Sequence, residues 1–302
     1  MVRLLLYQKL IIGLFVASVL SVSNAIAVSN EYSNKSITEL IDALTQIDSQ
    51  SPGINSSSIY EGFIADNTPG SFGGGVLGVP PPKVPSQMSE LVRRGPLALP
   101  ELIKHLDDRR PTKLAVGSDE PPSLSPQVGV NFFMFMYFSD EYDPRLPHWF
   151  DKTELKREPG PMEKHFHGRY TVRVGDVCYV LIGQIVNRRL LAVRYQPSAG
   201  LVVNSAIEAP VLVEKVRNDW GSADAEMLKA SLLADIHTAN YPKDVSKAGN
   251  TARFVNPALQ RLRLYFPETY NALAGDDLQK RKEFEKQEIE QHPQAGGASL
   301  TG

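Results

Sequence analysis

Residues 170–205, YTVRVGDVCYVLIGQIVNRRLLAVRYQPSAGLVVNS, hold the densest apolar content of the chain and its clearest changes of period. Tyr170, Val172 and Val174 alternate with Thr171 and Arg173, the period of a half-buried strand. Gly175-Asp176 then reads as a turn with Asp176 as helix N-cap. Val177, Val180, Leu181, Gln184 and Ile185 recur at helical spacing, and Asn187-Arg188-Arg189 gives a polar exit whose cations suit a helix C-terminus. Beyond it, 190–195 and 201–204 are apolar and β-branched, separated by Gln196-Pro197-Ser198-Ala199-Gly200. That spacing predicts an antiparallel strand pair joined by a loop. Strand, helix, strand and strand in this order predict an α+β fold.

The chain opens MVRLLLYQKLIIGLFVASVLSVSNAIA, with Arg3 and Lys9 ahead of an apolar run and small residues at Ala25 and Ala27. This is the layout of a secretory signal peptide over 1–27, with cleavage after Ala27. Ser18, Ser21, Ser23 and Asn24 interrupt the run, which leaves it short of the about 20 apolar residues of a bilayer span. An uncleaved anchor is the alternative. The expectation is an exported protein, periplasmic or extracellular, with no stable membrane insertion once the leader is removed.

Cys178 is the only cysteine, so no intramolecular disulfide forms although the exported setting would permit one. Packing must therefore hold the fold. The formal charge of the 302-residue chain is −2, and losing Arg3 and Lys9 with the leader makes it more acidic. Nucleic acid is not an expected partner.

Within 28–85, Ser36 and Glu39 have capping-box spacing ahead of a short amphipathic helix bearing Leu40, Ile41, Leu44 and Ile47. From Asp48 to Pro85 the composition turns to Ser, Gly and Pro, which reads as a linker or exposed loop. Gly73-Gly74-Gly75 lacks the following Lys-Ser/Thr of a phosphate-binding loop. Over 86–108, Ser86 and Ser89 are alternative caps of a first helix bearing Met88, Leu91 and Val92, which Gly95-Pro96 ends. Pro100 opens a second helix with Leu102, Ile103 and Leu106 as its stripe.

The residues Leu91, Gly95, Ala98, Leu99, Pro100, Leu102, Ile103, Leu106 and Asp108 resemble the outline of a HEAT-type helical repeat. The resemblance implies a helical hairpin over 86–108. Pro210, Leu212, Val213 and Val216 echo its offsets, but strands are expected between the two segments, so stacked repeats are not. The segment GDVCYVLIGQIVNR…AVRYQPSAGLVV, and with it roughly 170–265, is similar to uncharacterised exported bacterial proteins, some carrying only a HEAT-type label. That similarity implies export and an α+β core over 109–275. It carries over no activity and no catalytic residue.

Elsewhere, Lys113 to Val116 and the aromatic run Val130 to Phe138 are expected strands. Pro210 to Trp220, Ser222 to His237 (with Met227, Leu228, Leu232 and Ile236 as its stripe) and Asn256 to Phe266 are expected helices. The region 276–302 reads as a charged, partly disordered tail, solvated or partner-binding.

Three groups could carry chemistry. Cys178 lies near a helix N-terminus, where backbone N–H groups lower a thiol pKa, but Asp176 two residues before it opposes a thiolate. His165 and His167, two apart, would share one face of a strand and could hold a divalent metal. Asp140, Glu141, Asp143 and His148 are possible further ligands. The loop Asp140 to Phe150 combines carboxylates with Tyr142, Trp149 and Phe150, residue types of interface anchors. Asp140, Tyr142, Asp143 and Trp149 are accordingly candidate binding residues.

Two functions follow. One is an exported, non-enzymatic binding or structural module with a protein partner and no cofactor. The alternative is a hydrolase or metal-dependent enzyme using His165, His167, Cys178 and an acidic residue of 140–143.

Overall fold

The computed structural model describes residues 31–48, 56–57, 62–65, 84–116, 132–135, 170–188, 190, 193–195, 200–203, 205–207, 210–237 and 251–291. The chain divides into two compact units, Met1–Lys35 and Ser36–Gly302. In the first, the described residues make a turn in which Lys35 N donates to the Tyr32 carbonyl at 3.2 Å.

The second unit is α+β and mostly helical. Its helices are α1 (Ile37–Ala43), α2 (Ser86–Arg94), α3 (Leu99–Lys104), α4 (Val174–Val186), α5 (Pro210–Trp220), α6 (Ala225–Asp235), α7 (Asn256–Tyr265), α8 (Pro267–Asn271) and α9 (Asp276–Gln291). Its strands are β1 (Ser56–Ser57), β2 (Pro111–Val116), β3 (Phe132–Phe135), β4 (Tyr170–Arg173), β5 (Val193–Tyr195) and β6 (Gly200–Val203). One sheet has the order β1-β5-β6-β3, with β5 and β6 antiparallel and both outer pairs parallel. The other is the antiparallel pair β2-β4.

Helix α4 is the core. Of its residues only Gln184 is not buried, the pattern of a helix surrounded on all sides rather than laid on a surface. Helices α2, α3 and α6, strand β4 and the 3₁₀ turn Leu44–Gln46 pack around it. The strand-to-helix passage is tighter than the sequence reading: no turn intervenes, and α4 begins at Val174 directly after β4. The N–H groups that a helix leaves unpaired in its first turn explain this. Val174 N donates to the Arg110 carbonyl and Gly175 N to the Asp108 carbonyl, both at 2.9 Å. With those donors satisfied by the segment after α3, Asp176 is not the N-cap. It stands three residues beyond the cap, Arg173, and accepts that residue's N–H at 2.9 Å.

At the other end Asn187 takes the left-handed conformation, φ 59°, and the Arg188 guanidinium turns back to the Val186 carbonyl at 3.2 Å. The expected cation at the C-terminus is thus present.

Helix α1 carries the expected capping box, with Glu39 N donating to Ser36 Oγ at 3.2 Å and Ser36 N to Glu39 at 2.7 Å. Leu40, Ile41, Leu44 and Ile47 are all buried, against α2 among others. Neither expected serine cap of α2 forms, because Pro85 is the N-cap. Ser89 Oγ instead donates to the Ile64 carbonyl at 2.7 Å.

That bond exposes a second correction. Phe63, Ile64 and Ala65 are buried, so this part of the expected exposed loop belongs to the core. The Gln184 side chain accepts from Ile64 N at 3.3 Å, and the Arg261 guanidinium stacks over the Phe63 ring at 4.4 Å. Strand β2 begins at Pro111 and contains a register shift before Ala115. Thr112 Oγ1 fills it by donating to the Val172 carbonyl at 2.9 Å and accepting from Leu114 N at 3.1 Å.

In α6 and at its C-cap, Leu228, Leu232 and Ile236 are buried as expected, but Met227 is exposed. Pro267 follows α7 and opens α8 from its first turn. The charged segment after Gly275 is helix α9, held along α7. Phe284 is buried, Arg263 pairs with Glu288 at 3.0 Å, and Lys280 Nζ donates to the Ile236 carbonyl at 2.6 Å.

Candidate functional site

The head of α4 gathers a polar cluster inside the core. Asp176 is fully buried, and Tyr170 from the start of β4 donates to its Oδ2 at 2.5 Å. Ser205, just past β6, stands 2.7 Å from its Oδ1 and 2.6 Å from Tyr170 Oη. Ile207 N also donates to this carboxyl. Burial pushes the Asp176 carboxyl up, against the pull of these hydrogen bonds. Three segments distant in sequence therefore meet on one side chain.

Cys178 lies one half-turn further on. Its thiol is buried and pushed well up by desolvation, with the Asp108 charge adding to the rise and Arg110 opposing it. A thiol so placed is a small packing group rather than a thiolate. Tyr179, its neighbour, is also fully buried, and its hydroxyl has no hydrogen-bond partner among the described residues.

The tail of α4 carries a buried ion pair. Arg188 meets Asp235 of α6 at 2.8 Å, and their side chains are 9% and 2% exposed. Asn187 Nδ2 donates to Asp235 at 2.7 Å and to the Phe254 carbonyl at 3.3 Å. Arg188 also reaches Ser231 at 2.9 Å and lies 5.6 Å from the Trp220 ring centre. The cluster ties α4, α5, α6 and the π-turn Thr251–Val255 together, and breaking it would strand a buried charge.

On the surface, three large apolar side chains rise from elements that touch one another. Leu97, on the 3₁₀ turn Gly95–Leu97, is 74% exposed, and Met227 and Leu264 are 42% and 37% exposed. That turn meets α6, α6 meets α7, and Gly95 abuts the Tyr265 ring.

The chain matches no family model, no curated protein and no solved structure. Its own residues must carry the functional argument.

Of the residues singled out from sequence, Cys178 alone is described. His165, His167, Asp140, Glu141, Tyr142, Asp143, His148 and Trp149 lie outside the described residues, as do the signal-like segment and 292–302. Among the described residues, no group of three or more His, Cys, Asp or Glu is placed to hold a metal ion. No described helix is long and apolar enough to cross a membrane.

Sequence reading did not find the Tyr170–Asp176–Ser205 cluster. One signal was available: Asp176 is the only charge between Val174 and Val186, a run otherwise fit for a core. Nothing in the sequence marks Ser205.

Proposed function

We propose that the chain is an exported, non-enzymatic module that binds a protein partner in the periplasm or outside the cell, with α2 and α3 as a HEAT-like hairpin. The observation that carries the binding part is the set of exposed apolar side chains on the elements around the turn of that hairpin. Leu97 stands out from the α2–α3 turn, and Met227 and Leu264 rise from the two helices touching that region. Exposed apolar side chains on adjoining elements are the raw material of an interface centre. Export rests on the residues of 1–27. The enzyme alternative asks Cys178 to act as a nucleophile, and the burial of that thiol speaks against it.

The test uses the full chain in its source cells. Proteins cross-linked to the wild type are captured and identified beside those from a Leu97→Asp, Met227→Lys variant shown to be folded by circular dichroism. A specific partner lost from the variant supports the reading. An unchanged set of partners, or none from either chain, overturns it and moves the search to substrates and metals around His165 and His167.

A further inference from the structure

Three side chains at the head of α4 form a closed triangle through four oxygens. Tyr170 Oη is 2.5 Å from Asp176 Oδ2 and 2.6 Å from Ser205 Oγ, and Ser205 Oγ is 2.7 Å from Asp176 Oδ1. Separations this short require a proton between each pair of oxygens. The two hydroxyls bring one proton each, whatever else they contact. An ionised carboxyl brings none, so one side of the triangle would set lone pair against lone pair. A neutral carboxylic acid brings the missing one. Oδ2 faces Tyr170 Oη and Arg173 N, the latter at 2.9 Å, and Oδ1 faces Ser205, with Ile207 N a further donor to the carboxyl.

We propose that Asp176 is a neutral carboxylic acid in the folded protein, and that its proton closes a ring with Ser205 and Tyr170 that latches the exit of β6 to the head of α4. Around the ring one proton then lies between Asp176 Oδ1 and Ser205 Oγ, one between Ser205 Oγ and Tyr170 Oη, and one between Tyr170 Oη and Asp176 Oδ2. Raising the pH removes one of three protons, one side of the ring opens, and the 205–207 turn loses part of its hold. The latch is therefore sensitive to alkali.

The neighbouring charges leave this proton in place. Titratable and charged groups that the described residues bring to the head of α4 include Tyr170 and Arg173 on β4, Cys178 on α4, and Asp108 and Arg110 on the segment whose carbonyls meet its first turn. The 205–207 turn adds only the Ser205 hydroxyl. The Arg173 guanidinium is turned to the Arg109 carbonyl at 3.2 Å, and that of Arg110 to Asp108 and Asp42 at 2.7 and 2.6 Å. Neither cation is spent on Asp176. Burial, the leading influence on this carboxyl, favours the uncharged form.

Infrared spectroscopy of the full chain tests the proposal directly. At about pH 7, well above the ordinary carboxyl range, the folded wild type should show the carbonyl stretch of an un-ionised carboxylic acid, and Asp176→Asn should lack it. In Ser205→Ala, which removes one of the carboxyl's two hydroxyl partners, the pH at which the band titrates away should differ from that of the wild type. Wild-type spectra without the band at about pH 7, or a band untouched by both substitutions, overturn the proposal. Denaturant unfolding gives a second reading. Relative to Asp176→Asn, the wild-type unfolding constant should rise with pH from about pH 4, by up to about tenfold per unit, until the folded carboxyl ionises. A ratio that is flat or falls with pH overturns it as well.

Discussion

Asp108 shows how local bonding can outweigh burial. Desolvation pushes its carboxyl up, but hydrogen bonds from the Arg110 side chain and backbone and from His105 hold it at about 2. Because that value lies below the ordinary 3.8, the stabilisation is present above about pH 4 and disappears as pH falls through about 2. Arg110 is 43% exposed, so screening reduces the contribution to about 1 kcal/mol. Asp108→Asn should lose about that much at neutral pH, and denaturant curves of variant and wild type should converge toward about pH 2. Gly95 is constrained differently. It sits at φ 48°, and a methyl group there would run into the Tyr265 ring, whose hydroxyl donates to the Val92 carbonyl at 2.6 Å. Gly95→Ala should cost about 1–3 kcal/mol in equilibrium unfolding. The glycine was legible as a helix terminator; the ring pressed against it, far away in sequence, was not.

Among the elements, α4 decides the fold, and it was the part most readable in the sequence. A run of apolar residues bounded by a strand pattern and a polar exit has one stable home, the centre. Its boundaries were less readable, because they depend on carbonyls of Asp108 and Arg110 that no local pattern announces. The buried Phe63 segment was missed for a related reason: composition called it loop, and tertiary contacts with Gln184 and Arg261 made it core. Two substitutions in α4 probe its packing. Leu181→Ala should destabilise by about 2–5 kcal/mol, as for other fully buried leucines. Gly183→Ala would gain about 1 kcal/mol from helix propensity alone. The added methyl, however, would lie 2.6 Å from the Arg188 carbonyl and 2.8 Å from Leu190 Cβ. Thermal melting of Gly183→Ala should therefore show a loss, and a gain would mean the chain exit beyond α4 can move aside.

For the whole molecule, α9 changes what the end of the chain does. Its residues are mostly charged, so sequence reading emphasised solvent; a single aromatic, Phe284, supplies the anchor, with Arg263 stacked 5.3 Å from its ring centre. The charge of the run pointed to solvent or a partner, and one aromatic residue within it gave no sign of which surface it would find. Phe284→Ala should lower stability by about 3 kcal/mol in denaturant unfolding. A chain ending after Gly275 should melt at lower temperature still, because it also loses the bonds from Lys280, Arg281 and Glu288. Truncation there is consequently a stability experiment before it is a binding experiment. A surface substitution such as Leu97→Asp separates the two.

The lone thiol of Cys178 also makes the protein its own clock. Since no other cysteine competes, alkylation reports only those moments when the helix around it is opened to solvent. Dividing the labelling rate by that of an unstructured thiol peptide yields the frequency of core opening without added probe or denaturant. Repeated across a pH series, the same reaction would time the loosening of the region beside Asp176.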